Sequence, residues 1–364
     1  MKPPIKELSY VGEWQSFDPG LARIEEGLTR LGQPHLQWRH FLVGGTNGKG
    51  TVSFNLARNL GPGTGLFTSP HLIDVRERIT LAGTPFPDRA WIKARDRIRE
   101  VWPNPRLSYF EWLLLLAVIM FHEASVEDAV FEVGMGGRLD ATNALSPGLS
   151  ILTQVSMDHQ QFLGDSLESI ALEKIEIARQ GKPFFFPEVL LDFEAVKSRM
   201  KAIGCLAQPI ALTQAFESNL VLLNKILEHL NRTPQTSLEL LPGRREKVRE
   251  GLYLDGAHNQ AGWRDLCRWI QAEKRQPIAV LGSLSQGRQP DLFLKELTPI
   301  ASKFFHWQAG FDKELPREHW PTSVDVIGED RLPFLLDRPL LVCGSLYFVG
   351  AFKQWYHQHF HQLS

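Results

Sequence analysis

Gly44-Gly45-Thr46-Asn47-Gly48-Lys49-Gly50-Thr51 follows the apolar run Phe41-Leu42-Val43 and opens a stretch with helical spacing. A strand, a glycine-rich turn and a helix in that order frame a phosphate-binding loop. Glycines let backbone N–H groups turn inward around a polyanion, the helix N-terminus adds partial positive charge, and Lys49 adds a full one. Thr51 offers a hydroxyl to a magnesium ion on the phosphates. The strict pattern, GxxxxGK followed directly by Ser or Thr, is not met. Val43 stands where its first glycine belongs, and Gly50 separates Lys49 from Thr51. The expectation is a variant loop in which Asn47, Gly48, Lys49, Gly50 and Thr51 surround a bound polyphosphate.

Outward from this loop the chain alternates strand and helix, the pattern of a parallel sheet covered by helices. Leu21, Ile24, Leu28 and Leu31 recur at helical spacing, closed by Gly32 and Pro34. Residues 65–67, 129–133 and 149–155 read as buried strands. Residues 167–179 read as a helix with Ser166 as N-cap and Gly181 beyond its end. Phe184-Phe185-Phe186 suggests a short strand within a poorly patterned region, and residues 220–230 look helical. Leu241-Pro242-Gly243-Arg244 interrupts the pattern and marks a domain boundary. A second alternation follows, with strands at 251–254, 278–281, 304–307 and 340–343. It contains no GxGxxG, so dinucleotide binding is not supported. The expected fold is α/β: a P-loop NTPase-type parallel-sheet domain over residues 1–241, then a smaller Rossmann-like α/β domain over 242–364.

The 364 residues suit two domains, and 43% hydrophobic with 22% charged residues suits a globular chain with a full core. Lys plus Arg is 40 against 41 for Asp plus Glu, which gives no basic excess to favour nucleic acid or a membrane surface. Three cysteines, Cys205, Cys267 and Cys343, are odd in number and far apart, so a reducing, cytoplasmic setting is expected. The N-terminus shows no secretion-signal pattern. The apolar stretch 112–121 is too short to span a bilayer and reads as a buried helix. His357, His359 and His361 alternate in a polar tail; metal binding there is weighed against an exposed helix end, and the helix end is the plainer reading.

A family resemblance enters with further motifs. The loop GTNGKG-[ST] resembles that of the Mur ligase superfamily. Thr68-Ser69-Pro70-His71-Leu72 with Arg76-Glu77-Arg78-Ile79 resembles the TSPHL…ERI stretch of folylpolyglutamate and dihydrofolate synthases. Ser108-Tyr109-Phe110-Glu111, the run Glu132-Val133-Gly134-Met135-Gly136-Gly137-Arg138-Leu139-Asp140-Ala141-Thr142-Asn143, and Asp158-His159 are similar too. Glu173-Lys174, Pro242-Gly243-Arg244, Asp255-Gly256-Ala257-His258-Asn259 and Gly344-Ser345-Leu346-Tyr347 complete the series in the family's order.

What the resemblance implies is ATP-driven amide formation. A pterin-linked carboxylate, on dihydropteroate or a reduced folate, attacks the γ-phosphate and becomes an acyl phosphate. The amino group of L-glutamate then displaces phosphate. Both steps gather negative charge, so cations and oriented donors are required. By resemblance, Thr51 and Ser69 serve one magnesium ion, and Glu132 and His159 help hold a second. Lys174 matches the position at which the family carries a carbamylated lysine, a modification that turns a cation into an oxygen donor and needs a neutral amine. Asn219, Arg244 and Asp255 match ATP-contacting positions. Ser108, Tyr109, Phe110 and Glu111, with Leu139, Asp140 and Ala141, match segments lining the pterin pocket. Lys49, Lys174 and His258 are the catalytic candidates. A monomer is expected.

Three departures stand beside these matches. The interval from Lys49 to Ser69 is short, so a truncated helix is expected after the loop. The family's HQxxN reads Ala215-Phe216-Glu217-Ser218-Asn219, which keeps only the Asn, and residues 181–240 leave little room for the usual strands. The DKD-like motif reads Ser285-Gln286-Gly287-Arg288-Gln289-Pro290-Asp291, in the region expected near glutamate or the folate tail. Two other readings stay open: a superfamily ligase acting on another acceptor, such as a cell-wall peptide, and a nucleotide-binding paralogue without catalysis.

Overall fold

The computed structural model describes residues 3–11, 20–213, 216–274 and 277–360. The chain divides into two compact units, Met1–Glu239 and Leu240–Ser364, two residues before the expected boundary.

The first unit opens with helices α1 (Glu7–Val11) and α2 (Ala22–Arg30), then β1 (Arg39–Gly44), α3 (Lys49–Leu60) and β2 (Gly65–Phe67). A hairpin follows, β3 (Ile79–Leu81) and β4 (Thr84–Pro85), then α4 (Asp88–Val101), α5 (Tyr109–Glu123) and β5 (Asp128–Glu132). Next come β6 (Leu149–Leu152), α6 (Gln160–Leu163), α7 (Leu167–Ile175), β7 (Pro183–Pro187), α8 (Glu194–Ile203), β8 (Leu206–Ile210) and α9 (Ser218–His229). The eight strands form one sheet in the order β4-β3-β2-β5-β1-β6-β7-β8, parallel from β2 to β8, with β3 and β4 antiparallel at one edge.

Alternate residues of the central strands face opposite layers, as the two-residue period requires. Phe41 and Val43 pack with Val52 and Leu56 of α3 and with Leu222 and Ile226 of α9. Leu42 packs on the other face, in the core built by α5. α5 is apolar all round because it is covered all round: Leu113 to Phe121 are each 4% exposed or less. Ser108 and Glu111 cap its N-terminus reciprocally.

The structure corrects several expectations. The helix expected over 167–179 ends at Ile175, because tight-turn bonds replace helical ones: Ile177 N–H to Lys174 O and Ala178 N–H to Ile175 O. The Arg179 guanidinium then takes up carbonyls of Glu176, Ala178, Asn143 and Leu145. The strand expected over 149–155 stops at Leu152, and its continuation pairs with the glycine-rich loop instead. Residues 181–240 do hold strands, β7 and β8; β8 is an edge strand, largely exposed, and carries no apolar alternation to reveal it. The helix after the glycine-rich loop, α3, runs for 12 residues.

The second unit contains β9 (Glu246–Arg249), β10 (Leu252–Asp255), α10 (Gln260–Ala272), β11 (Ile278–Gly282), α11 (Pro290–Leu297) and β12 (Ala301–His306). It closes with β13 (Asp325–Val326), α12 (Leu332–Leu335), β14 (Leu340–Cys343) and α13 (Leu346–Phe360). Its six-stranded sheet runs β13-β12-β11-β14-β10-β9, parallel except for β9. No helix among the described residues is long and apolar enough to cross a membrane.

Leu116 of α5 is fully buried. Leu116→Ala should therefore destabilise the first unit by about 2–5 kcal/mol, from lost transfer energy plus a residual cavity. Urea unfolding followed by tryptophan fluorescence measures this; a loss under about 1 kcal/mol would mean the α5 site collapses freely.

Candidate active site

The glycine-rich loop leaves the C-terminal end of β1, in the middle of the sheet, where crevices form in parallel α/β folds. Two positions demand glycine. Gly45 has φ +137°, and a Cβ there would lie 1.9 Å from Thr153 Oγ1. Gly48 has φ +87°, and a Cβ there would lie 2.3 Å from Asn219 Oδ1. The loop is pinned from the β6 side. Thr153 Oγ1 lies 3.1 Å from Gly44 O and 2.7 Å from Asn47 O. Thr46 N–H donates to Gln154 O, while Thr46 Oγ1 bonds the backbone of Ser156. Gly48 is the N-cap of α3 and supplies no side chain to cap it, so no N-cap side chain takes up the first N–H groups of the helix. Thr51 is buried in the first turn of α3.

Lys49 folds back onto the loop, with Nζ 3.2 Å from Gly45 O and 3.3 Å from Thr46 O. Lys174 reaches the same carbonyl from α7, with Nζ 3.0 Å from Gly45 O. Burial, reinforced by the charge of Lys49, brings the Lys174 amine down to about 7; Asp158 and Asp140 pull the other way. The approach of α7 depends on Gly137, where a Cβ would meet Glu173 O at 2.6 Å. Arg138 fastens the same contact, its N–H on Glu173 O and its guanidinium on the Glu173 carboxylate. Glu132 ends β5 beside Val43 and is 4% exposed; its Oε2 accepts the Ser69 N–H at 3.0 Å. His159 has a left-handed backbone (φ +50°), and Asp158 accepts its N–H.

The structure thus gathers Asn47, Gly48, Gly50, Thr51, Lys49, Lys174 and Asn219 around one loop, and joins Glu132 to Ser69. These donors fit a magnesium ion. A carboxylate and two hydroxyls are hard oxygen ligands, and magnesium keeps most of its positions for phosphate and water. No cluster of three or more His, Cys, Asp or Glu suited to a metal occurs among the described residues. His361 lies outside the described residues, as does Ala215.

The segments assigned to a pterin pocket also make bonds within the first unit. Glu111 is 3% exposed; it accepts the Ser108 N–H and takes Arg23 Nε at 3.1 and 3.2 Å. Ser108 Oγ accepts the Glu111 N–H in return. Tyr109 is buried in the core, below the Arg78 guanidinium. Phe110 is half-buried, edge-on to Phe67 and against Gly134. Asp140 accepts bonds from Met135 N–H, Thr142 N–H and Thr142 Oγ1, and burial still pushes its carboxyl up. Ala141 is buried and Leu139 is 38% exposed.

In the second unit, Asp255 ends β10 and binds the N–H groups of Arg245 and Ala257. Burial raises its carboxyl against the opposing charge of Arg244. Arg244 lies in the turn closed by its N–H on Leu241 O. His258 is half-buried, Nδ1 facing Gly256 O at 3.0 Å. Sequence reasoning missed Thr153, Gln154 and Ser156, which hold the loop. The paired glycines 44 and 45 were the available signal, since such pairs mark a close approach. It also missed Glu314, a buried carboxylate that binds Ser283 Oγ and the N–H groups of Ala309 and Gly310 beyond β11.

A two-unit α/β architecture with this loop at the centre of its larger sheet defines the class: a P-loop ligase fold of the Mur superfamily type. The chain belongs to the dihydrofolate synthase/folylpolyglutamate synthase family. It is 30% identical to the dihydrofolate synthase/folylpolyglutamate synthase of Buchnera aphidicola subsp. Baizongia pistaciae over 329 residues, covering 80% of this chain and 77% of the relative. It is 28% identical to the protein of the same name from Bacillus subtilis, covering 92% and 94%. The bifunctional enzyme of Yersinia pestis, solved with Mn, AMPPNP and L-glutamate bound, has the same fold, with a TM-score of 0.83 at 23% identity and 98% of each chain covered. No family model matches the chain.

Gly45→Ala should destabilise the first unit by about 1–3 kcal/mol through backbone strain and the collision with Thr153. Adding Thr153→Ala should recover only part of that loss, because the strain at a positive φ remains; full recovery in urea melts would assign the whole effect to the collision. Lys174 predicts a pH dependence. Below about pH 7 its amine is protonated folded or unfolded. Between there and the unfolded value near ~10.4, only the unfolded chain holds the proton, so stability should rise with pH by up to about 1.4 kcal/mol per unit. Comparing wild type with Lys174→Met in urea from pH 6 to pH 9, in buffers freed of carbon dioxide so that the amine is unmodified, isolates this; identical slopes would contradict it.

Proposed function

We propose that this chain is an ATP-dependent amide ligase that adds L-glutamate to dihydropteroate, to a reduced folate, or to both, through an acyl phosphate. The observation that carries the reading is the meeting of Lys49 and Lys174 on the carbonyl of Gly45, at the mouth of a phosphate loop in a chain of this family.

In this reading the N–H groups of the loop and Lys49 hold the β- and γ-phosphates, and Asn219, packed against Gly48, contacts ATP. Magnesium, two ions in number, would be held by Thr51, Ser69, Glu132 and His159, and supplies positive charge to the transferring phosphoryl group. Lys174 is proposed to be carbamylated. Its neutral amine forms an N–C bond with carbon dioxide and releases one proton, and the resulting carbamate is an oxygen donor of opposite charge. The depressed basicity of the buried amine supports this, because a protonated amine cannot react.

The acceptor carboxylate attacks the γ-phosphorus, ADP leaves, and the acyl phosphate forms. The glutamate amine then attacks the acyl carbon, loses a proton and expels phosphate. Preorganised positive charge lowers both barriers without reorganisation. Arg244, Asp255 and His258 are proposed to serve ATP and glutamate from the second unit. In the structure Asp255 orders its own turn, which makes it an organiser of that turn first. Likewise the direct contacts to the acceptor fall to Phe110 and Leu139 rather than to Glu111 or Asp140. The enzyme is read as a cytoplasmic monomer.

The test is product mass. The protein is incubated with ATP, magnesium and glutamate, once with dihydropteroate and once with a reduced folate. The expected product carries one more glutamate on at least one acceptor. No addition to either acceptor, with ATP still bound, would overturn the ligase reading.

A further inference from the structure

Residues 230–239, between α9 and the second unit, form no helix or strand. Two asparagines nevertheless hold this backbone as a neighbouring strand would. Asn224 of α9 donates Nδ2 to Gln235 O at 2.9 Å and accepts the Gln235 N–H at 2.7 Å. Asn55 of α3 does the same at Glu239, donating Nδ2 to Glu239 O at 3.0 Å and accepting the Glu239 N–H at 2.8 Å. A single carboxamide thus satisfies both polar groups of one linker residue.

The Asn55 clamp is placed more tellingly than the other. Asn55 is 3% exposed, and its Nδ2 also donates to Thr51 O at 2.9 Å. Thr51 lies in the first turn of α3, within the phosphate loop, and Glu239 is the last residue of the first unit. One side chain therefore connects the phosphate loop's helix to the point where the chain leaves this unit. Leu238 packs into the same core as Val52 and Leu56, and Arg58 pairs with Glu239 at 3.2 Å. That last pair is half-exposed and contributes little by itself. A hydrocarbon at position 55 would leave a backbone donor and a backbone acceptor of Glu239 without these partners.

We infer that Asn55 is a positioning residue for the glutamate-adding reaction, fixing the exit of the first unit to the helix that carries the phosphate loop. The kinetic part of this inference rests on the ligase reading; the clamp itself does not. The proposed reaction draws on residues of both units, and the backbone at Glu239 is their covalent link. A loosened exit should therefore slow turnover while leaving nucleotide binding to the intact loop.

The experiment compares wild type with Asn55→Leu in the full chain. Hydrogen exchange at the Glu239 amide should accelerate about tenfold or more. Turnover for glutamate addition should fall about tenfold, with KM for ATP and Kd for ADP within about twofold of wild type. Asn59→Leu, on the same helix but off the linker, should keep wild-type turnover. If Asn55→Leu does not fold, Asn55→Ala removes the same bonds with a smaller side chain, and the same readouts apply. Unchanged exchange at Glu239, unchanged turnover, or turnover and ADP affinity falling together would each overturn the inference. A wild-type protein that adds no glutamate would overturn the ligase reading and the kinetic half with it, while exchange at Glu239 still decides the clamp.

Discussion

One peptide carbonyl, that of Gly45, receives two lysines, and the first unit is built around making that possible. Lys49 reaches it from the start of α3 and Lys174 from α7, at 3.2 and 3.0 Å. Two ammonium groups this close in a buried site repel, and the site answers by lowering the basicity of the more buried one. Gly137 and Arg138 bear directly on the approach of Lys174. Gly45 adopts a backbone that brings it against Thr153, Gly137 lets α7 come close, and Arg138 fastens α7 there. Such a site gains from polyanionic phosphates, which the proposed reaction supplies, and from neutralisation of one lysine, which the proposed carbamylation supplies.

The acidic residues tell a complementary story. Several carboxylates in the family-like motifs act as scaffolding. Glu77 gathers the N–H groups of Leu72, Ile73 and Asp74, and so shapes the turn after Ser69. Glu111 caps α5 and binds Arg23, while Asp140 and Asp255 each order a turn with backbone N–H groups. A buried carboxylate is costly to leave without donors, and backbone N–H groups at turns supply them at fixed geometry. Each of these acids orders the turn or helix start at which it sits.

What was legible in the sequence follows from this division. The glycine-rich loop, its flanking strand and α5 are local patterns, and each appeared where the residues placed it. The helix expected over 167–179 stopped at Ile175 because Arg179, four residues on, takes carbonyls from its own turn and from residues 143 and 145, a contact between distant segments. β8 and β13 escaped notice because edge strands bury little and need no alternation. The role of Glu111 could not be read from its motif, because its partner Arg23 lies 88 positions away. Motif order identified the family, whereas the tasks of individual acids depended on long-range contacts.

The central claim is that the acceptor carboxylate is activated on the γ-phosphate of ATP held by this loop. An acceptor labelled with oxygen-18 in its carboxylate tests it most directly, using whichever of dihydropteroate or reduced folate gains glutamate. The account predicts that one labelled oxygen per amide formed appears in inorganic phosphate, with ADP as the other product. Unlabelled phosphate, or AMP and pyrophosphate in place of ADP and phosphate, would contradict it.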